Sequence, residues 1–328
     1  MSEKSFGIHI APERLDRFTW HKGEIKALGT KEEVEKQAEK EGRKVIWYDD
    51  ESEKIVNKKT ALYGAIIGDI VGSRFEGRGK KIKTKDFEFF APDCRFTDDT
   101  VMTVAVADAV LKAVREEDGR IFRKAVEYSL QSWGRKYPHA GYGGRFKEWI
   151  YSDRPMPYNS FGNGSAMRIS SAAWVSDSMF DTRENARVTA RVTHNHFEGV
   201  KGAMAVASAI FLARQGKSKE EIKNYIETEF DYNLSRKLDD IRPTYKFDVT
   251  CQGSVPEAII AFLESENFED AVRNAVSLGG DADTQAAIAG SIAEAFYRIP
   301  NHLITKCREY LPSDMLEVVD RFNLTVGY

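Results

Sequence analysis

The sequence has few cysteines, no long apolar run and no excess of positive charge. Its three cysteines, Cys94, Cys251 and Cys307, lie far apart and form no CxxC pair. That pattern fits neither a disulfide framework nor a zinc site, so we expect a reducing, cytoplasmic location. The longest apolar stretch, 202–213, is too short for a membrane span of about 20 residues, and residues 1–18 do not resemble a signal peptide.

Charge and composition narrow the class of partner. Lysine and arginine number 48 against 51 aspartates and glutamates, which gives a formal net charge of −3. Since no net positive field is available to neutralise phosphate backbones, nucleic-acid binding is disfavoured. A chain of 328 residues, 42% of them apolar, predicts a globular protein with one large domain and one smaller domain.

Residues 1–58 differ from the rest in composition and sequence pattern, and they predict a small α+β extension. Strands are predicted near 18–28 and over 43–50, on either side of a charged helix over 30–42 that begins with a capping box. From 59 to 328, apolar residues instead recur at spacings of three and four, and period-two runs long enough for a sheet are missing. This larger segment therefore predicts an all-α multi-helix bundle.

Two short stretches place a threonine and paired aspartates where a helix is predicted to begin. They read FTDDT at 96–100 and GDADT at 280–284. Taken singly, each is a plausible helix start, with an N-cap side chain and acidic residues near the positive end of the helix dipole. Two capping residues suffice for that purpose, however, and the glycines before GDADT suggest a backbone held so that side chains converge.

If the two helix starts meet in space, four carboxylates lie within a few ångströms of one another. Like charges at that range oppose ionisation, and a divalent cation relieves the conflict. Carboxylate and hydroxyl oxygens select Mg²⁺, Mn²⁺ or Ca²⁺ rather than Zn²⁺. Because four aspartates and two threonines exceed what one Mg²⁺ with its waters requires, a site for two metals is predicted.

Four motifs in order resemble the ADP-ribosylglycohydrolases, the family of dinitrogenase reductase-activating glycohydrolase and the ADP-ribosylhydrolases. They are GAIIGDIVGSRFEG from residue 64, FTDDT, SFGNGSAMR from residue 160, and LGGDADT from residue 278. The resemblance runs from about residue 62 to about residue 300. It implies an all-α orthogonal bundle with two Mg²⁺ ions, which Mn²⁺ can replace, at the base of a cleft.

The resemblance also assigns residues, position by position. The implied metal ligands are Thr97, Asp98, Asp99, Asp281, Asp283 and Thr284. Glu76 matches an acidic residue beside the metals and the scissile ribose, and His194 matches a ligand-contacting histidine. The loop that cradles diphosphate and ribose is matched by Ser160, Phe161, Gly162, Asn163, Gly164, Ser165 and Met167.

The residues of that loop have an independent physical interpretation. Small residues in SFGNGSAMR let backbone N–H groups reach phosphate oxygens, especially where a helix follows. Gly-Asn-Gly is also an ordinary turn, so the loop alone is a weak signal. His194 and His196 form an H-x-H pair that suits a separate metal, but the sequence shows no third ligand for it.

The implied activity is Mg²⁺-dependent hydrolysis of the glycosidic bond between ADP-ribose and a protein side chain, with arginine as the first choice. Glu76 and Asp99 are the candidate catalytic carboxylates; the sequence does not separate activation of water from protonation of the leaving group. Two alternatives are an inactive ADP-ribose-binding module and a hydrolase of a free ADP-ribose-like small molecule. Residues 1–58 fall outside the resemblance, and Trp20 and Trp47 suggest that they contact the modified protein or the modifying transferase.

Overall fold

The structure is a computed structural model that describes residues 60–76, 81–113 and 119–326, together with the backbone of four short segments before residue 60. The chain divides into two compact units, Met1–Lys58 and Lys59–Tyr328. Among the described residues, no helix combines the length and the apolar character needed to cross a bilayer.

The described backbone of the first unit consists of four short strands. Strand β1 (Ser5–Ile8) pairs in parallel with β4 (Lys44–Trp47), and β2 (Thr19–His21) pairs antiparallel with β3 (Glu24–Lys26). The helix predicted over 30–42 lies outside the described residues. The α+β description of this unit therefore stays a prediction.

The second unit is built from helices, as the spacing of apolar residues predicts. Its described residues form no strand, apart from one isolated bridge between Gly162 and Thr250. In chain order the helices are α1 (Tyr63–Gly72), α2 (Asp98–Ala113), α3 (Gly119–Lys136), α4 (Gly144–Ile150), α5 (Gly164–Met167), α6 (Ser170–Trp174), α7 (Met179–Arg191), α8 (Phe197–Arg214), α9 (Lys219–Phe230), α10 (Leu238–Ile241), α11 (Cys251–Leu263), α12 (Phe268–Val276), α13 (Ala282–Phe296), α14 (Asn301–Arg308) and α15 (Ser313–Thr325).

Helix α13 lies at the centre of the unit. It packs against α1, α8, α11 and α12, and its residues 282–295 are all buried. Its sequence is rich in alanine, which favours the helix and leaves room for neighbours to approach on every side. A helix buried all round holds its first turn rigidly, and that first turn carries the aspartates of GDADT.

Helices α1 and α13 touch backbone to backbone because of a glycine stripe. Gly64, Gly68 and Gly72 recur every four residues, so they share one face of α1. A Cβ added to Gly68 would overlap the carbonyl oxygen of Ala286, and one added to Gly64 would overlap that of Gly290. Only glycine permits this approach. The contact brings the end of α1 and the residues after it against the start of α13.

A buried glutamate anchors the start of α1. Glu294 of α13 accepts hydrogen bonds from the Thr60 hydroxyl at 2.8 Å and from the Gly64 N–H at 2.9 Å. The bond from Gly64 satisfies an N–H that the first helical turn leaves free, since the residue before α1, Leu62, makes no side-chain cap. Burial raises the pKa of Glu294 to about 7. The start of α1 is thus fastened to the last turns of α13.

Candidate active site

Both aspartate clusters border one cleft of about 420 Å³ in the second unit. The cleft is also bordered by the glycine-containing loop after residue 159 and by Glu76, which follows α1. The convergence predicted from the two helix starts is therefore present. The lining consists of Glu76, Asp98, Asp99, Gly141, Gly143, Gly144, Arg145, Phe146, Tyr158, Ser160, Gly162, Asn163, Gly164, Met167, Arg168, His194, Phe247, Val249, Asp281, Asp283 and Thr284.

The first cluster is positioned by Asp69, a buried residue of α1. The Asp69 carboxylate accepts the Thr97 N–H at 2.8 Å, the Thr97 hydroxyl at 2.6 Å and the Thr100 N–H at 3.0 Å. It also accepts the Thr100 hydroxyl. Thr97 in turn accepts the Asp99 N–H at 3.3 Å, which confirms its predicted N-cap role. The start of α2 is therefore held by α1 as well as by its own cap.

The second cluster begins at Asp281, which does not cap α13 as the sequence suggested. Its side chain makes no cap hydrogen bond; instead its carboxylate accepts the side-chain amide of Asn163 at 2.7 Å. Asp283 accepts the Thr284 N–H at 2.9 Å. The Thr284 hydroxyl donates to Asp99 at 3.2 Å and so joins the two clusters directly. The capping interpretation fails for Asp281 because the glycine loop offers its carboxylate a partner across the cleft.

Carboxylate oxygens converge in two sets that share one residue. One oxygen each from Asp69, Asp99 and Asp283 lie within 4.8 Å of one another, and so do oxygens from Glu76, Asp281 and Asp283. No ion pair formed by the described residues involves any of these carboxylates. In addition, Asp99 Oδ1 is buried without a hydrogen-bond partner among the described residues. A hard divalent cation suits such a set of oxygen donors.

Burial and mutual repulsion oppose ionisation throughout the cluster. Burial, followed by the charge of Asp69, raises the pKa of Asp98 to about 8. Burial raises the pKa of Asp281 to about 6, although the hydrogen bond from Asn163 works in the opposite direction. Burial and neighbouring carboxylates also hold the pKa values of Asp99 and Asp283 well above their usual range. Cations that bound the cluster would reverse these shifts, so metal binding and proton release are coupled here.

Asp98 belongs to neither set of converging oxygens. It lies on the cleft wall, where its N–H donates to the Ala140 carbonyl at 3.0 Å. The neighbouring Gly141 has a φ of +119°, and a Cβ there would lie 3.1 Å from Asp98 Oδ1. Only a glycine fits comfortably beside this carboxylate. Asp98 is thus a predicted metal ligand that the structure places beside the cleft but outside both sets.

The predicted substrate loop runs across the cleft and is clamped by the start of α11. The Asn163 N–H donates to the Val249 carbonyl at 2.8 Å, and the Cys251 N–H donates to the Phe161 carbonyl at 2.9 Å. The helix that follows, α5, has only four residues, so it offers less of a dipole than the sequence suggested. Of the predicted substrate residues, the cleft lining includes Ser160, Gly162, Asn163, Gly164, Met167 and His194.

Two residues of that predicted set lie elsewhere. The Ser165 side chain is fully buried and its hydroxyl donates to the Gly199 carbonyl at 2.7 Å, so it fastens the loop to α8. The Phe161 side chain is 45% exposed and packs against the His196 ring outside the cleft lining. His196 caps α8 by accepting the Glu198 N–H at 3.1 Å. It therefore serves the helix start rather than a second metal together with His194.

Comparison with known proteins identifies the family of the chain that forms this cleft. The sequence model of ADP-ribosylglycohydrolase matches residues 53–327. The chain belongs to the ADP-ribosylglycohydrolase family. This result confirms the resemblance inferred from the four motifs and extends it beyond residues 62–300 on both sides.

Relatives of this ADP-ribosylglycohydrolase carry names that refer to the same chemistry. Human ADP-ribosylhydrolase ARH3 is 27% identical over 332 aligned residues, which cover 78% of this chain and 90% of that protein. The ADP-ribosylarginine hydrolase Tri1 of Pseudomonas putida is 26% identical, over 74% of this chain and 70% of Tri1. A solved ADP-ribosylglycohydrolase-related protein complex matches 82% of this chain with a TM-score of 0.55. At 23% identity, that likeness shows the fold alone.

Two residues of this ADP-ribosylglycohydrolase that sequence reasoning missed are Asp69 and Arg168. Asp69 is an acidic residue within the otherwise apolar helix GAIIGDIVG, and that contrast was the available signal. Arg168 ends the motif SFGNGSAMR and is 1% exposed, so it is a fully buried cation that borders the cleft. The residues next to Arg168 in the sequence do not indicate that it is buried. Its hydrogen-bond partner, Thr193, lies 25 residues further along the chain.

Proposed function

We propose that this chain is a divalent-metal-dependent hydrolase that cleaves the glycosidic bond between ADP-ribose and a protein side chain. The observation that carries the proposal is the pair of carboxylate sets that share Asp283, a residue that lines the cleft. Family membership supports hydrolysis of ADP-ribose linkages. The glycine loop also lines the cleft, and its small residues leave room for a diphosphate.

The proposed cofactors are two Mg²⁺ ions, which Mn²⁺ can replace. Asp283 would contribute to both, because it belongs to both sets of converging oxygens. Asp69 suits a supporting role better than ligation, since its carboxylate already accepts four hydrogen bonds. When bound, the metals supply Lewis-acid stabilisation of ribose oxygens and of water. The other proposed ligands are Thr97, Asp98, Asp99, Asp281 and Thr284.

We assign the proton-transfer role to Glu76 rather than to Asp99. Asp99 is 3% exposed, is held by Thr284 and lies between Asp69 and Asp283, so its geometry suits a ligand. Glu76 lies after the end of α1, is only partly buried and borders the open cleft. It can therefore reach water or a leaving group without breaking a hydrogen bond within the described residues. In glycosidases, a carboxylate so placed activates the attacking water or protonates the leaving group.

For the modified side chain we propose arginine. One relative is named an ADP-ribosylarginine hydrolase, and a guanidinium leaving group suits a cleft bordered by five carboxylates. The five are Glu76, Asp98, Asp99, Asp281 and Asp283.

The proposal is tested by measuring ADP-ribose release from ADP-ribosyl-arginine, ADP-ribosyl-serine and an ADP-ribosylated protein, with and without Mg²⁺. We expect turnover of the arginine conjugate, loss of turnover with excess EDTA, and recovery on adding Mg²⁺ or Mn²⁺. Asp283→Asn should abolish turnover, whereas the matched control Asp270→Asn, which removes a carboxylate paired with Lys85, should not. ADP-ribose binding without turnover of any conjugate would instead identify a binding module, and metal-independent turnover would refute the metal centre.

A further inference from the structure

Arg168 is an unusual buried cation. Its side chain is 1% exposed, and its guanidinium lies 5.5 Å from the centre of the Phe146 ring. Among the described residues it forms no ion pair with a carboxylate, and its Nε has no hydrogen-bond partner. Burying a charge without a counter-charge is costly, so the position calls for a specific role.

The partner of Arg168 is the hydroxyl of Thr193, which also contacts His194. Arg168 Nη2 donates to Thr193 Oγ1 at 2.8 Å, and Thr193 Oγ1 lies 2.7 Å from His194 Nδ1. A guanidinium has donors only, so the Thr193 oxygen must accept from it. The single proton of the hydroxyl is then free to point at Nδ1. Thr193 Oγ1 has no other hydrogen-bond partner among the described residues, so its proton finds an acceptor only if Nδ1 is unprotonated, which leaves the proton of the neutral ring on Nε2.

The protonated nitrogen of His194 faces the glycine loop. A Cβ built on Gly162 would lie 3.6 Å from His194 Nε2, and one built on Gly164 would lie 3.5 Å from it. His194 and both glycines line the cleft. His194 is 5% exposed and its Nδ1 lies 2.7 Å from Thr193 Oγ1, so the orientation of the ring is fixed.

Charged and titratable groups around the ring favour the neutral form. Arg168 reaches it through Thr193, and the Tyr158 ring lies 6.0 Å from its centre. Burial and the Arg168 charge both hold the pKa of His194 well below its usual range. Burial raises the pKa of Tyr158 to about 12, so its phenol stays neutral as well. The neutral Tyr158 phenol therefore offers no negative charge that would offset the effect of the Arg168 guanidinium on the ring.

We propose that Arg168, acting through Thr193, fixes His194 as the neutral Nε2–H tautomer, so that the histidine already matched to a ligand contact can only donate a hydrogen bond toward a substrate that lies against Gly162 and Gly164. Arg168 and Thr193 are positioning residues in this scheme, and His194 is the residue that touches the ligand. The ligand half of the inference rests on the proposed function. The tautomer half is a property of the protein alone.

The tautomer is tested by long-range proton–nitrogen spectra of the imidazole rings in uniformly ¹⁵N-labelled, ligand-free full-length protein. His194 is assigned by the signal that disappears in His194→Gln. We expect Nε2 protonated and Nδ1 unprotonated from pH 5.5 to pH 8. An Nδ1–H tautomer, or an imidazolium at pH 6, would overturn the inference. Because the measurement uses the wild-type chain, it does not depend on whether any variant folds.

The role in binding is tested with Thr193→Val and Thr193→Ser, using ADP-ribose as the probe in calorimetric titrations between pH 5.5 and pH 8. Valine removes the hydroxyl at equal size and frees the ring, so we expect about tenfold weaker binding, as for one lost hydrogen bond. Serine keeps the hydroxyl and should bind within about twofold of wild type.

Equal binding of ADP-ribose by wild type and the valine variant would refute the positioning role. Failure of the proposed function has a different signature, namely no ADP-ribose release from any conjugate while the wild-type ring retains its Nε2–H tautomer. A protonated or Nδ1–H ring in an enzyme that turns over refutes this inference alone.

Discussion

Gly68→Ala tests whether the backbone contact between α1 and α13 sets the geometry of the carboxylates. The added methyl would overlap the Ala286 carbonyl oxygen, which is backbone and cannot rotate away. Overpacking of this kind costs about 1–3 kcal/mol, and alanine regains about 0.5–1 kcal/mol through its helix preference. We therefore expect a net loss of about 1–2 kcal/mol in the free energy of unfolding, or a fall of a few degrees in Tm.

The effect of Gly68→Ala on activity should be much larger than its effect on stability. To clear the overlap the helices must separate, and Asp69 and Glu76 then move relative to Asp283. A misplacement of about 1 Å at reacting groups costs on the order of 100-fold in rate. The assay pairs thermal denaturation with kcat/KM for ADP-ribose release at a temperature where the variant is fully folded.

The matched control is Gly134→Ala in α3. Its added Cβ would lie 2.7 Å from the tip of the Ile150 side chain, so it also overpacks a helix, but away from the cleft lining. We expect a similar or smaller loss of stability with kcat/KM within about twofold of wild type. Near wild-type kcat/KM for folded Gly68→Ala would refute the idea that the glycine stripe sets the active geometry.

Glu76, Glu294 and the first unit each provide a further test. Glu76→Gln should lower kcat by at least about 100-fold while leaving the affinity for ADP-ribose within about threefold, and an equal loss of both would contradict its proton-transfer role. Burial raises the pKa of Glu294 to about 7, so its contribution to stability is complete below about pH 4.5 and is lost as the pH rises through 7. The free energy of unfolding of wild type should therefore fall between pH 5 and pH 8. Chemical unfolding at these two pH values should show that Glu294→Gln reduces that fall by up to about 3 kcal/mol. Deleting residues 1–58 should lower turnover of an ADP-ribosylated protein but not of a small conjugate, whereas equal losses would indicate a folding role for that segment.

Much of the helical architecture was predictable because local periodicity reports burial directly. The predicted convergence of FTDDT and GDADT is present, since Thr284 donates to Asp99 and Asp283 lies with Asp69 and Asp99. That prediction depended on the chemistry of the side chains, because like charges gathered at two helix starts call for a cation that neutralises them. The family motifs then supplied the order in which the parts occur.

The parts that were not predictable depend on contacts between residues far apart in sequence. Asp69 was missed because its four hydrogen bonds go to Thr97 and Thr100, about 30 residues away. Asp281 was interpreted as a cap because the sequence does not show that Asn163 reaches its carboxylate across the cleft. In both cases the aspartate itself indicated a functional position, but its hydrogen-bond partner depended on how distant segments pack together.

The most direct test of the account is to count the metal ions that the carboxylate sets bind. Metal-free protein is titrated with Mn²⁺, and free Mn²⁺ is measured by electron paramagnetic resonance, with Asp283→Asn and Asp270→Asn alongside. We predict two bound ions per wild-type chain, two in Asp270→Asn, and at most one in Asp283→Asn, because Asp283 belongs to both sets. Fewer than one ion bound per wild-type chain at millimolar Mn²⁺, or unchanged binding in Asp283→Asn, would contradict the account.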